Sequence, residues 1–133
     1  MSVTSILCPI DGRETSFRAL DLAAEMANRF DASLDVVHIT DKHTDATDDI
    51  LDRAREHLAA AGVDTRPRVS TDLDLDFRPA DRVGADILAL VDRRGYDHVV
   101  MGHEEPGTVE RAIIGSAAET VLRAEQVPVT VVP

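Results

Sequence analysis

The sequence predicts an α/β fold, one domain built on a mainly parallel sheet with helices on both faces. Three observations predict it. The length of 133 residues suits one domain and leaves no room for a second. A hydrophobic fraction of 44% supplies a core that needs no staples. Along the chain, short apolar runs of strand length alternate with longer segments of helical spacing, which is the pattern of a parallel sheet.

Residues 4–10 are an apolar run and read as a strand buried on both faces. Asp11-Gly12 breaks it. Phe17, Leu20, Ala24 and Ala27 then recur on one helical face, and the helix is expected to start near Thr15 or Ser16, either of which can cap it, and to end near Phe30. Residues 34–39 (LDVVHI) form the second strand. Thr47 is the expected cap of a second helix with Ile50, Ala54, Leu58 and Ala61 on one side, and Gly62 stands where a C-terminal glycine cap belongs. A third strand is expected over 64–70, with the period-two segment 72–77 (DLDLDF) either extending it or forming an acidic loop. The third helix covers 80–94 with Val83, Ile87, Leu90 and Val91 inward, and Arg93 and Arg94 at its negative end. Residues 97–101 are the fourth strand, 117–125 the fourth helix and 127–132 the last strand. Sites on such sheets lie beyond the carboxyl ends of the strands, where the strand order reverses. Here those ends are Pro9–Gly12, Ile39–Asp41 and Met101–Gly107.

Charge excludes several functions. A net charge of −11 argues against a nucleic-acid partner, and 3% aromatic residues leave almost nothing to stack bases on. No apolar run is long enough to span a membrane, and the first residues do not read as a signal peptide, so a cytoplasmic location is expected. A lone Cys8 excludes an internal disulfide framework and a Cys-rich zinc site. The 17 Asp outnumber the 8 Glu, and the 13 Arg stand against a single lysine, Lys42. Such a surface repels itself and favours screening, which suggests a cytoplasm of molar salt.

Few residues suggest catalysis. Cys8 reads as a small core residue and His38 as a strand residue with no identifiable catalytic partner. His103, in the loop after the fourth strand, is the titratable group best placed near a ligand. Counting an EF-hand from Asp72 puts Phe77 and Val83 where Gly and Glu belong, which rejects calcium. Zincin, nucleophile-elbow, dinucleotide and Walker motifs do not occur. Asp11 can either bond a ribose hydroxyl or organise the turn before the first helix. GSAAETVL (115–122) reads as a capping box of Ser116 with Glu119, opening a helix whose first amides, at Ala117 and Ala118, are hindered by nothing larger than a methyl group.

The two ends of the chain together resemble a known family. ILCPIDGRETSFRAL at the start, and VVMG followed by IIGSAAETVLRAEQVPVTVV at the end, are similar to the corresponding segments of universal stress proteins, while the middle matches only in pattern. The resemblance implies one such domain over 1–133, a five-stranded parallel sheet of order 3-2-1-4-5 and, in the nucleotide-binding branch, ATP across the switch point. It places Pro9, Ile10, Asp11 and Ile39 at adenine and ribose. The branch's phosphate loop G-x2-G-x9-G-[ST] maps its first Gly onto Gly102, after Met101, and its last pair onto Gly115-Ser116, followed by Ala117.

Its middle Gly is replaced by Glu105, after Glu104, with Gly107 two residues late. Two carboxylates about 5 Å from phosphates cost of order 1–3 kcal/mol at a surface-like dielectric. A Mg²⁺ ion bridging Glu104 or Glu105 to phosphate would offset this.

Three functions are therefore weighed: a stress-response module whose ATP binding is weakened or absent, an ATP-binding member whose nucleotide state sets partner choice, and a slow ATPase. In the order 3-2-1-4-5 the uncharged strand VPVTVV is an edge. It predicts a homodimer in which Val129, Thr130, Val131 and Val132 meet their own copy, with further protein partners unspecified.

Overall fold

The computed structural model describes residues 2–40, 43–70, 79–103 and 116–133, with backbone alone at 79–82 and 116. In chain order the elements are β1 (Ser5–Ile10), α1 (Glu14–Phe30), β2 (Ser33–Ile39), α2 (Asp45–Ala61), β3 (Arg68–Ser70), α3 (Pro79–Arg94), β4 (His98–Gly102), α4 (Ser116–Ala124) and β5 (Val129–Val132). The strands form a five-stranded sheet of order β3-β2-β1-β4-β5, and every pairing is parallel. This is the fold that the sequence pattern predicts, with the strand order that the family resemblance implies.

Strand alternation divides the core in two. Ile6, Cys8, Ile10, Leu34, Val36 and Val100 pack under α1 and α2, where Phe17, Leu20, Ala24 and Leu58 close the layer. Leu7, Val37, Val99 and Met101 pack with Ile87, Leu90, Val91, Ala118 and Val121 on the opposite face. The helical faces read from periodicity are those that go inward, with Leu51 buried beside a half-buried Ile50 on α2. Glu14, Phe17 and Asp21 on α1 meet Arg53 and His57 on α2. Arg53 bonds Glu14 at 2.6 Å and lies 4.2 Å over the Phe17 ring, and His57 stacks on that ring while bonding Asp21 at 2.7 Å. The hydrogen bond from Arg53 holds the Glu14 carboxyl below its ordinary value.

Several boundaries differ from the sequence expectation. Helix α1 begins at Glu14, one residue before the expected caps, and its N-cap Arg13 makes no side-chain cap bond. The Asp11-Gly12 turn sets that start. Asp11 Oδ1 accepts the Arg13 N–H at 2.8 Å, Gly12 has φ +90°, and Ser16 Oγ donates to the Arg13 carbonyl at 2.8 Å from inside the first turn. Helix α2 is capped by Thr44, and Thr47 is the N3 member of the box, its hydroxyl accepting from the Thr44 N–H at 3.1 Å. Gly62 caps α2 as expected, at φ +71°.

Strand β3 is three residues long, shorter than the expected 64–70. Buried Pro67 has no N–H for a ladder, and Thr65 Oγ1 donates to the Leu34 carbonyl at 2.9 Å in its stead. Segment 72–77 lies outside the described residues. Strand β4 starts one residue late because Asp97 serves β1, accepting from the Thr4 N–H and hydroxyl at 2.9 and 2.8 Å. In β5, Pro128 precedes the strand and contributes its carbonyl, which accepts the Val99 N–H at 3.0 Å.

Candidate functional site

Chain order turns back between β1 and β4, so the site predicted by topology lies between their carboxyl ends. The ladders there are unequal. β1 pairs with β2 as far as Ile10 with His38, whereas its register with β4 is Ile6 with His98 and Leu7 with Val99. Pro9 explains the difference. The Ser5 carbonyl accepts the Asp97 N–H at 3.0 Å, so by strand alternation Leu7 and Pro9 also turn their backbone groups toward β4. Pro9 has no N–H to give. The lack of that donor stops the ladder below the ends of both strands.

The other backbone series of β1 faces β2, as the bond from the Ser33 N–H to the Thr4 carbonyl at 2.9 Å shows. The Ile10 carbonyl belongs to that series. There it accepts from His38 Nδ1 at 2.7 Å, in a buried contact. His38 is therefore a core histidine, as its strand position suggests, with one ring nitrogen fixed on the residue that precedes Asp11.

The predicted site residues fall into separate groups. Pro9 and Ile10 are buried, Ile10 toward α1 and α2. Asp11 organises the turn through Arg13, and its carboxylate stays about half exposed, with Oδ2 3.9 Å from Arg13 Nε. Ile39, Met101 and Ala117 lie together on the α3–α4 side, where Met101 is buried and the other two are half-buried against it. Gly102 ends β4 on the α1 side. A Cβ there would stand 2.6 Å from Ser16 N and from the Thr15 carbonyl carbon, so this glycine is required by the first turn of α1.

His103 donates its backbone N–H to the Val132 carbonyl at 2.6 Å, and among the described residues its buried Nε2 has no hydrogen-bond partner. Ser116 opens α4, while Glu119 accepts from Arg123 Nε at 2.9 Å. Gly115, Glu104, Glu105 and Gly107, and the Ser116 half of the capping box, lie outside the described residues and side chains. Burial raises the Cys8 thiol far above its ordinary value, which fits a core residue and not a nucleophile.

Among the described residues, no group of three or more His, Cys, Asp or Glu is placed to hold a metal ion. No helix among them is long and apolar enough to cross a membrane. The predicted edge is present: β5 is the last strand of the sheet, and its four residues are all half-buried.

The family model described as the universal stress protein family matches residues 3–133. The chain belongs to that family. Solved structures of the family share its fold over nearly its whole length. A universal stress protein in complex with cAMP is 23% identical with a TM-score of 0.76, covering 99% of this chain and 98% of that one. The Archaeoglobus fulgidus universal stress protein in complex with dAMP is 21% identical with a TM-score of 0.71, and the match covers 100% of each chain. A protein from Mycobacterium tuberculosis is 26% identical with a TM-score of 0.61, covering 100% of this chain and 97% of that one. No curated protein matches the chain.

Sequence reasoning marked the carboxyl ends of the strands but missed three features of this universal stress protein domain. The first, the donor that Pro9 lacks on the β4 side, is foreshadowed by a proline inside an apolar strand, which asks for an unpaired flank. The bond from His38 to Ile10 and the contact of Gly102 with α1 have no local signal, because each joins residues far apart in the chain.

Proposed function

We propose that this chain is a homodimeric stress-response module of its family that takes an adenine nucleotide at the β1–β4 switch point and holds triphosphates weakly. The observation that carries this reading is the unequal ladder. The β1–β4 register stops at Leu7 and Val99, yet β1 runs on to Ile10 and β4 to Gly102. Buried His103 Nε2 lies just past the end of β4 and has no hydrogen-bond partner among the described residues, which fits a ligand there.

In this reading Pro9, Ile10 and Asp11 meet the nucleoside from β1, and Ile39 meets it from β2. Met101, Gly102, Gly115, Ser116 and Ala117 address the phosphate end. Glu105, where the family pattern has glycine, opposes a triphosphate and its charge far more than a monophosphate. The relatives solved with cAMP and dAMP carry ligands with a single phosphate, which agrees with the reading. Magnesium would enter with ATP as part of the ligand.

Calorimetric titration of AMP and of Mg-ATP at molar KCl, into the wild type and Glu105→Gly, tests the proposal. AMP should bind both proteins alike. Mg-ATP should bind the wild type more weakly than AMP, and Glu105→Gly should bind it about tenfold more tightly, equivalent to about 1.4 kcal/mol. Equal isotherms for Mg-ATP on both proteins would remove Glu105 as the cause. No binding of either nucleotide to either protein would sink the nucleotide reading in favour of a scaffold that recognises protein partners only.

A further inference from the structure

We infer that His38 is the positioning residue of this site: its Nδ1–H bond to Ile10 fixes the peptide plane that aims the Asp11 N–H across the switch point. The inference rests on the nucleotide reading above and adds to it the donor that the nucleotide would meet.

The geometry is simple. A peptide unit is planar, and its C=O and N–H point in opposite directions. The Ile10 carbonyl faces β2, where His38 Nδ1 donates to it at 2.7 Å. The N–H of the same peptide belongs to Asp11 and therefore points away from β2, to the β4 side. That is the flank on which Pro9 offers no donor and the β1–β4 ladder has stopped. One backbone N–H is thus presented where paired strands would otherwise consume it.

A carbonyl oxygen has two lone pairs, so the imidazole can bind it without displacing a ladder bond. The contact is buried, with His38 9% exposed, so water competes poorly for it. The turn that follows is held independently by Asp11 Oδ1 on the Arg13 N–H. Both sides of the Asp11 peptide are then fixed, which is preorganisation for a ligand acceptor such as a ring nitrogen of adenine or a ribose oxygen.

The amide nitrogen of asparagine stands where histidine Nδ1 does, and that of glutamine stands where Nε2 does. His38→Asn should therefore keep the bond, while His38→Gln and His38→Leu should lose it. Titration with AMP should show a five- to tenfold weaker affinity for the Gln and Leu variants and near wild-type affinity for Asn. In the wild type, imidazole nitrogen NMR should show a proton on Nδ1, and the Asp11 amide should be among the resonances that move most when AMP is added.

A His38 ring protonated on Nε2 alone would overturn the inference whatever the variants do. So would Gln and Leu variants that bind AMP as the wild type does. Should the wild type fail to bind AMP, the nucleotide reading falls first. An unprotonated Nδ1 would then overturn the positioning bond, whereas a protonated one would support it as a feature of the fold.

Discussion

Gly102 shows how one residue can carry two demands. The family pattern aligns it with the first glycine of a phosphate loop, but its neighbours require a glycine without any ligand. A Cβ would press to 2.6 Å on backbone atoms of Thr15 and Ser16, which cannot swing aside as a side chain tip would. Gly102→Ala should destabilise the protein by roughly 1–3 kcal/mol, as overpacked sites do. Urea unfolding without nucleotide measures this, and a midpoint equal to the wild type would show that α1 yields freely. Residue identities were legible in the sequence at Asp11, Cys8 and His38 to different depths. Of the two readings open for Asp11, the structure shows the turn, a local bond over two residues. Cys8 was legible as core because its whole run is apolar. The bond of His38 was not, since nothing in β2 reveals which carbonyl of β1 lies beside it.

Elements were legible wherever their signal is periodic, and less so where a side chain replaces backbone. The helical faces and the glycine cap of α2 follow the pattern. The starts of α1 and α2 do not, because α1 has no side-chain cap and starts where the Asp11 turn sets it, and in α2 Thr44 takes the cap while Thr47 becomes the N3 residue. β3 shrinks to three residues because Pro67 and Thr65 reroute its ladder. Between β4 and β5 a similar side-chain bond has a consequence for pH. His98 Nε2 lies 2.8 Å from Thr130 Oγ1, and burial holds the imidazole below its ordinary value, outweighing the nearby Asp97 carboxylate. The unfolded chain therefore takes up this proton first as pH falls. The sign is a loss of stability below roughly pH 6.5, the ordinary histidine value. Glutamine places an amide nitrogen near the position of Nε2 and does not titrate. Melting temperatures from about pH 8 to about pH 5 should therefore fall more steeply for the wild type than for His98→Gln. Parallel curves would mean that His98 titrates alike in both states.

At the scale of the whole molecule, charge and the open edge act together. A net charge of −11 on a chain of this size repels itself, and salt screens it. The melting temperature should rise steeply from low to molar KCl, and a flat or falling curve would defeat the high-salt reading. Screening would also let two acidic copies approach, and strand alternation names the atoms that would meet. The Pro128 and Val132 carbonyls accept from Val99 and His103 on β4, at 3.0 and 2.6 Å. By alternation Thr130 faces β4 as well, and the N–H and C=O groups of Val129 and Val131 point to the open edge. Two copies related by a two-fold axis at Thr130 would exchange those bonds in an antiparallel pair. Side chains complicate the obvious tests. Val131 packs against the α3–α4 core, so Val131→Asp would harm folding as well as assembly, and Thr130→Lys would lose the His98 contact. Val131→Pro is cleaner. It deletes an outward N–H, leaves the β4 ladder intact and suits an edge strand. Light scattering at molar KCl should find a dimer for the wild type and a folded monomer for Val131→Pro, with Thr130→Lys shifted the same way. A Val131→Pro protein that stays dimeric at unchanged affinity would place the interface away from β5.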